Sequence, residues 1–116
     1  MKFGKYIKNS REKRAKTSQG YSLRKVAAAI EVEPSFLSKV ERDLVAPPSE
    51  VKIIALADYL DEDPDVLLAM AGKVSSDLQD IIRKRPQLFA DLIRQLKTQP
   101  DHAVLRLVRE VKDGDW

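Results

Sequence analysis

The sequence predicts an all-α protein, with five helices in its first 72 residues and two or three longer amphipathic helices in the remaining 44. In successive segments the apolar residues recur at i, i+3, i+4 and i+7, which is the period of a helix with one buried face. Ser, Asp or Pro stands where most of these segments begin, as expected at the start of a helix. No segment alternates apolar and polar residues as a half-buried strand does.

Composition and charge restrict the class of protein. A chain of 116 residues holds one domain, or one domain with an extension. It contains no Cys, which excludes disulfides and thiolate metal sites, and it has no apolar run of about 18 residues. We therefore expect a cytoplasmic protein without a membrane span. Residues 1–49 carry eleven Lys or Arg against five Asp or Glu, which fits either a polyanion-binding face or a solvated one.

The first three helices are short. Helix one is predicted over residues 3–14, with KTSQGY ending it, and Ser22 is a suitable cap for helix two over residues 23–30. Residues 31–33 must form a tight turn, because Pro34 disfavours helix at the residue before it and prefers the first helical position itself. Helix three therefore starts at Pro34.

Two further helices complete the first part of the chain. Helix four begins at Ser49, and its Val51, Ile54, Ala55 and Leu60 recur near the helical period, so we expect them to face the core. Asp63-Pro64 repeats the pattern of a cap followed by proline and opens helix five, which ends at Gly72.

Residues 73–116 form a predicted helical extension with amphipathic segments at 77–85, 87–97 and 101–112. Their apolar stripes are too wide to remain in water, and 44 residues make a poor independent core. We expect the extension to serve dimerisation or binding of a protein partner. The residues assigned to this contact are Leu88, Phe89, Leu92, Ile93, Leu96, Val104, Leu105 and Val108.

Residues 23–42 carry the pattern of a helix-turn-helix. In this motif two short helices cross steeply, so a small residue is needed where they touch and apolar residues where both meet the core. The small residue is Ala27, the turn hydrophobe is Val32, and the apolar anchors are Val26, Ile30, Leu37 and Val40.

The run SLRKVAAAIEVEPSFLSKVERD, followed by PPSE and IIALADYL, resembles the lambda-repressor/Cro-type, or Xre, family of bacterial and phage regulators. The resemblance covers residues 3–72. It implies a five-helix DNA-binding domain over residues 1–72, with a recognition helix over 34–43. Two positions depart from the family pattern: Leu23 stands where the family usually has Gln, and Glu31 where it has a turn glycine. Glu31 must then adopt a left-handed conformation, at a cost of about 1 kcal/mol, or the turn must differ.

The resemblance also implies the DNA contacts. In the family, residues at the start of the recognition helix contact the base edges, and the same positions are expected to do so here. Lys39 can donate to guanine, the serines can donate or accept, and Phe36 can lie against a thymine methyl. Ser38 could instead satisfy local backbone, and Phe36 could instead be a core aromatic. The proposed base-reading residues are Pro34, Ser35, Phe36, Ser38 and Lys39, and the proposed phosphate contacts are Ser22, Arg24, Lys25 and Arg42. Arg42 could instead be a solvated cation at a helix end.

Glu41 is assigned a structural role. The family resemblance implies that it pairs with Arg11 from helix one and fixes the recognition helix against that helix. Truncation of either residue should then cost more than its surface charge suggests.

We do not expect an enzyme, a cofactor or a metal site. His102 is the only histidine, and the acidic run at 61–65 lacks EF-hand spacing and is better explained as a helix cap. The four glycines are scattered and form no phosphate-binding loop. The cluster at 83–85 fits cations near a helix C-terminus better than a second nucleic-acid contact.

The predicted function is transcriptional regulation through double-stranded DNA, and we expect the protein to associate with the nucleoid when it binds DNA. We expect a homodimeric repressor that binds a palindromic operator. The alternative is an antitoxin-type module, whose C-terminal helices neutralise a toxin while the helix-turn-helix regulates the operon. A regulatory metallopeptidase that cuts the C-terminal part is another candidate protein partner.

Overall fold

A computed structural model describes residues 2–114, which form eight helices and no strand. The predicted all-α class is confirmed. The chain divides into two compact units between Ser75 and Ser76. Residues 115 and 116 of the predicted extension lie outside the described residues. The helices are α1 (Phe3–Ala15), α2 (Leu23–Ala29), α3 (Pro34–Glu41), α4 (Glu50–Tyr59), α5 (Pro64–Met70), α6 (Ser76–Lys84), α7 (Pro86–Leu96) and α8 (Asp101–Asp113).

Local capping explains where several helices begin. The side chain of Ser22 accepts a hydrogen bond from the backbone N–H of Lys25, and that of Ser49 accepts one from Lys52. Pro34 occupies the first turn of α3 and Pro64 that of α5, where the missing N–H costs nothing. Helix α3 ends at Glu41, two residues before the end expected from the sequence.

The core of the first unit is made by one apolar face from each of its five helices. The expected anchors of α2 and α3 all lie in it, and Val32 of the turn packs against it. The buried apolar residues are Phe3, Ile7, Val26, Ala27, Ile30, Leu37, Val40, Ile53, Leu56, Ala57, Leu60, Leu67 and Leu68.

Helix α4 confirms only half of the residues predicted to face the core, since Leu60 is buried and Ala55 packs against the buried residues. Val51 is 72% exposed and Ile54 is 41% exposed, so their assignment to the core was wrong. The buried stripe runs instead from Ile53 to Leu60, again with helical spacing. Because α4 is apolar around most of its circumference, the period alone did not decide which stripe faces inward.

Helix α1 lies directly against the end of α3. The backbone N–H of Gly4 donates to Oδ1 of Asp43 over 2.8 Å, so this carboxylate satisfies one of the free amides at the start of α1. A Cβ atom on Gly4 would lie 2.1 Å from the carbonyl oxygen of Val40. Only glycine permits this approach of the two helices.

The second unit contains α6, α7 and α8, and no residue of these helices is buried. Large apolar side chains on all three helices stay exposed, among them Leu88 at 66% and Val111 at 62%. Over residues 2–114, no helix is both long enough and apolar enough to cross a membrane.

We predict that Gly4→Ala destabilises the protein. On an open helix surface, replacing glycine by alanine stabilises by about 0.5–1 kcal/mol. Here the added methyl group collides with the end of α3, so we expect the free energy of unfolding to fall by about 1–3 kcal/mol in urea denaturation. The control is Lys5→Ala on the exposed side of α1, which should change it by less than about 0.5 kcal/mol. A stability equal to wild type would show that α1 and α3 do not touch at Gly4.

Candidate nucleic-acid interface

Helices α2 and α3 are joined by a tight turn in which Glu31 adopts the left-handed conformation, with φ of 60°. Of the two alternatives that the sequence left open, a left-handed Glu31 or a different turn, the structure has the first. The turn is closed by a hydrogen bond of 2.9 Å from the N–H of Val32 to the carbonyl of Ala27. The side chain of Val32 packs against the core, which ties the turn to the body of the unit.

One face of α3 is free of the core. Ser35, Lys39 and Arg42 are exposed, and their spacing of i, i+4 and i+7 places them in one row along the helix and its C-cap. The opposite face carries Leu37 and Val40, which are buried. Helix α3 thus separates a packing face from a face whose hydroxyl and cationic groups can meet a ligand.

The C-terminal end of α3 is held to α1 by a buried ion pair. Nε of Arg11 donates to Oε2 of Glu41 over 2.7 Å, and Nη2 of Arg11 donates to Oε1 over 2.9 Å. The two side chains are only 12% and 5% exposed. A third bond runs from Nη1 of Arg11 to the carbonyl of Tyr21, over 3.2 Å. The bond with Glu41 raises the pKa of Arg11, so the guanidinium stays charged in this setting.

Residues 11–67 match the family model described as helix-turn-helix. This segment is a helix-turn-helix domain of the lambda-repressor, or Xre, family. The match extends from Arg11 in α1 to Leu67 in α5, and so includes both motif helices and most of the core. No curated protein and no solved structure gives a significant match to the chain. The helix-turn-helix domain makes the protein a DNA-binding transcriptional regulator.

The residues assigned to phosphates lie at the start of α2 and at the end of α3. Ser22, Arg24 and Lys25 are exposed together at the start of α2. Oγ of Ser22 already accepts the N–H of Lys25, over 3.2 Å, but its hydroxyl hydrogen is still able to donate to a phosphate oxygen. Arg42 is exposed, and its Nε donates to the carbonyl of Ser38 over 3.3 Å.

The other proposed base-reading residues are less accessible than Ser35 and Lys39. Pro34, Phe36 and Ser38 are each half-buried, and Phe36 packs against the hydrophobic core of the helix-turn-helix domain. The structure therefore brings together on one surface Ser35, Lys39 and Arg42. It places the ring of Phe36 partly inside.

Several contacts that support this surface were not anticipated from the sequence. The hydroxyl of Tyr59 in α4 donates to the carbonyl of Gly20, and its ring lies 5.3 Å from that of Tyr21. Both contacts tie the loop before α2 to α4. Nζ of Lys52 bonds two carbonyls at the end of α2. A backbone carbonyl can accept a hydrogen bond whatever its side chain is, so the sequence gives no sign of which carbonyls Tyr59 and Lys52 bind. Only the contact between the rings of Tyr21 and Tyr59 could have been suspected, because both residues are aromatic.

Glu62, in the turn between α4 and α5, makes a similar link to α1. Its carboxylate accepts the hydroxyl of Tyr6 over 3.2 Å and that of Ser10 over 2.9 Å. The negative charge of Glu62 raises the pKa of Tyr6, because ionisation would place a second negative charge beside it. Helix α1 is thus bonded both to the end of α3 and to the turn after α4.

We predict strong energetic coupling between Arg11 and Glu41. Either Arg11→Met or Glu41→Leu leaves an unpaired charge in a buried position and should cost about 3–5 kcal/mol of unfolding free energy. The double variant leaves no buried charge, so its cost should be well below the sum of the two. The measurement is a double-mutant cycle by chemical denaturation.

The matched control cycle uses Lys8→Met and Glu12→Leu, an ion pair on the same helix with side chains 47% and 51% exposed. Its coupling should not exceed about 0.5 kcal/mol. Equal coupling in the two cycles would show that burial adds nothing to the Arg11–Glu41 pair.

Proposed function

We propose that this regulator is a homodimeric repressor that reads a palindromic operator with α3. The observation that supports it best is the exposed row Ser35, Lys39 and Arg42 on a helix whose other face is fixed in the core. Lysine can donate to O6 and N7 of guanine, and serine can donate or accept at most base edges. The row presents these groups on one side of a helix narrow enough for the major groove.

The cations around this row supply affinity without sequence preference. Arg24, Lys25 and Arg42 are exposed, and each phosphate they neutralise releases a counterion and steepens the salt dependence of binding by about 0.9 in the logarithmic slope. Ser22 adds a neutral donor beside them. Such contacts position the domain on the duplex, while contacts to the base edges determine which DNA sequence it prefers.

The test of readout is selection of bound sequences from random duplex DNA, comparing wild type with Ser35→Ala/Lys39→Ala. We expect wild type to enrich a palindrome with half-sites about one helical turn apart. The double variant should lose preference at defined positions, because each lost base contact costs about 1–3 kcal/mol. The control is Lys97→Ala, which removes the same charge from an exposed position of the second unit. An unchanged motif in the double variant would contradict readout by these residues.

A second copy of the chain is the proposed occupant of the exposed apolar residues in the second unit. A single domain reads only one half-site, and linking two of them converts weak binding into useful affinity. Helices α7 and α8 carry the residues assigned to the contact. Leu88, Leu92, Ile93, Leu105 and Val108 are between 40% and 66% exposed, and Phe89, Leu96 and Val104 are half-buried.

We predict that Leu88→Asp weakens the dimer. Leu88 is 66% exposed within one chain, so the substitution should not disturb folding, whereas burial of aspartate in an interface is costly. Light scattering at micromolar concentration should give twice 13.1 kDa for wild type. The dissociation constant should rise at least about tenfold for the variant.

The control for Leu88→Asp is Gln87→Asp, an exposed position on the polar side of α7 that also carries Asp91 and Arg94. It introduces the same charge one residue away and should leave the mass unchanged. A wild-type monomer with the second unit intact would contradict the homodimer. The exposed apolar residues would then favour a different protein as partner, as in the antitoxin alternative.

A further inference from the structure

The turn between the two motif helices lacks a cation of its own. Helix α2 has no basic residue in its last turn, and the two charged residues that follow it, Glu31 and Glu33, are acidic and exposed. Two amides of the turn are already bonded, since Glu31 donates to the carbonyl of Ala28 and Val32 donates to that of Ala27. The carbonyls of Ile30, which is the C-cap of α2, and of the next residue, Glu31, lie beyond the last helical residue and receive no amide from within α2.

Lys52 supplies a donor for both carbonyls from another helix. Its Nζ lies 2.9 Å from the carbonyl oxygen of Ile30 and 3.2 Å from that of Glu31. The side chain is half-buried, and its backbone N–H is fixed in the first turn of α4 by the Ser49 cap. An ammonium at the negative end of the α2 dipole makes charge-assisted bonds to these carbonyls, which favours this conformation of the turn over others.

The two ends of α3 are held in different ways. Its C-terminal end is bonded to α1 through Glu41 and, just beyond the helix, through Asp43. The start of α3 follows Glu31 by only three residues, so the backbone angles of the turn set its direction. Ser35 lies in this first turn and is the residue of the exposed row nearest to it.

We propose that Lys52 is a positioning residue for DNA readout. It touches no base; by bonding the carbonyls of Ile30 and Glu31 it holds the turn, and thereby holds Ser35 and Lys39 in register with the base edges. This inference rests on the proposed readout by α3. It differs from a phosphate contact, because the ammonium is directed to protein carbonyls.

The experiment compares Lys52→Met with Lys73→Met in the full chain. Methionine keeps an apolar stem and removes the ammonium. Lys73 is a matched control, since it is also half-buried and its Nζ also donates to a backbone carbonyl, that of Pro48, over 2.9 Å, outside the motif. Both variants should lower the melting temperature by similar amounts. Should Lys52→Met fail to fold, Lys52→Gln, which keeps an amide donor, takes its place.

The deciding readout is the affinity for the selected operator and for random duplex DNA, measured over a range of salt well below the melting temperature. For Lys52→Met we expect operator affinity to fall about tenfold, with random-DNA affinity and the salt slope unchanged. Lys73→Met should leave all three at wild-type values. A salt slope reduced by about 0.9, with both affinities lowered together, would show that Lys52 contacts a phosphate and would overturn the proposal. An unchanged ratio of operator to random affinity would reduce Lys52 to a stabilising residue and overturn it as well.

Failure of the proposed function gives a separate result. If wild type shows no preference among DNA sequences, readout by α3 is wrong, whatever Lys52 does. Amide hydrogen exchange then still tests whether the bonds from Lys52 stabilise the turn. Exchange at Glu31 and Val32 should accelerate in Lys52→Met and not in Lys73→Met, and equal exchange in both would overturn control of the turn by Lys52.

Discussion

The ion pair between Arg11 and Glu41 is the contact on which the geometry of the helix-turn-helix depends. Helix α3 has eight residues, which is too short to be stable in isolation, so its neighbours must hold it in place. Apolar packing of Leu37 and Val40 keeps it on the core, but the hydrophobic effect has no preferred direction. Two directional bonds between a guanidinium and a carboxylate restrict sliding and rotation of the helix. They also require that α1 be present and correctly placed.

Helix α1 therefore acts as a frame for the motif, although it contributes no residue to the proposed DNA contact. Its start is bonded to Asp43, its middle to Glu41 and Glu62, and Gly4 allows the closest approach to α3. The second support comes from α4, through Tyr59 and Lys52. The motif helices are thus held by contacts from both α1 and α4. The exposed row on α3 takes no part in this packing and stays accessible.

Much of the fold follows from short-range signals in the sequence. Ser22, Ser49 and Asp63 cap helices where predicted, and the spacing of the motif anchors matched the buried face of α2 and α3. The buried face of α4 was harder to predict, because apolar residues on most of its sides left two candidate faces. The long-range hydrogen bonds could not be predicted from the sequence, for a different reason. The bonds from Gly4, Tyr59 and Lys52 join residues that are 39, 39 and 22 positions apart, and each uses a backbone group that does not depend on the type of side chain.

The pairing of Arg11 with Glu41 came from family resemblance, and the charge pattern alone offered other choices, since Glu12 and Asp43 lie beside these residues. What distinguishes Glu41 is its position on the same side of α3 as Leu37, one helical turn away, so that a carboxylate projects into an apolar interface. A buried carboxylate needs a cation, and Arg11 is placed one turn after Ile7 on the matching face of α1. An ion pair of this kind adds little net stability over an apolar pair, but an arrangement of the two helices that separates the charges carries a penalty, because each charge is then buried without a partner. The proposed readout needs a short helix aimed at base edges, and for it that penalty matters more than the stability itself.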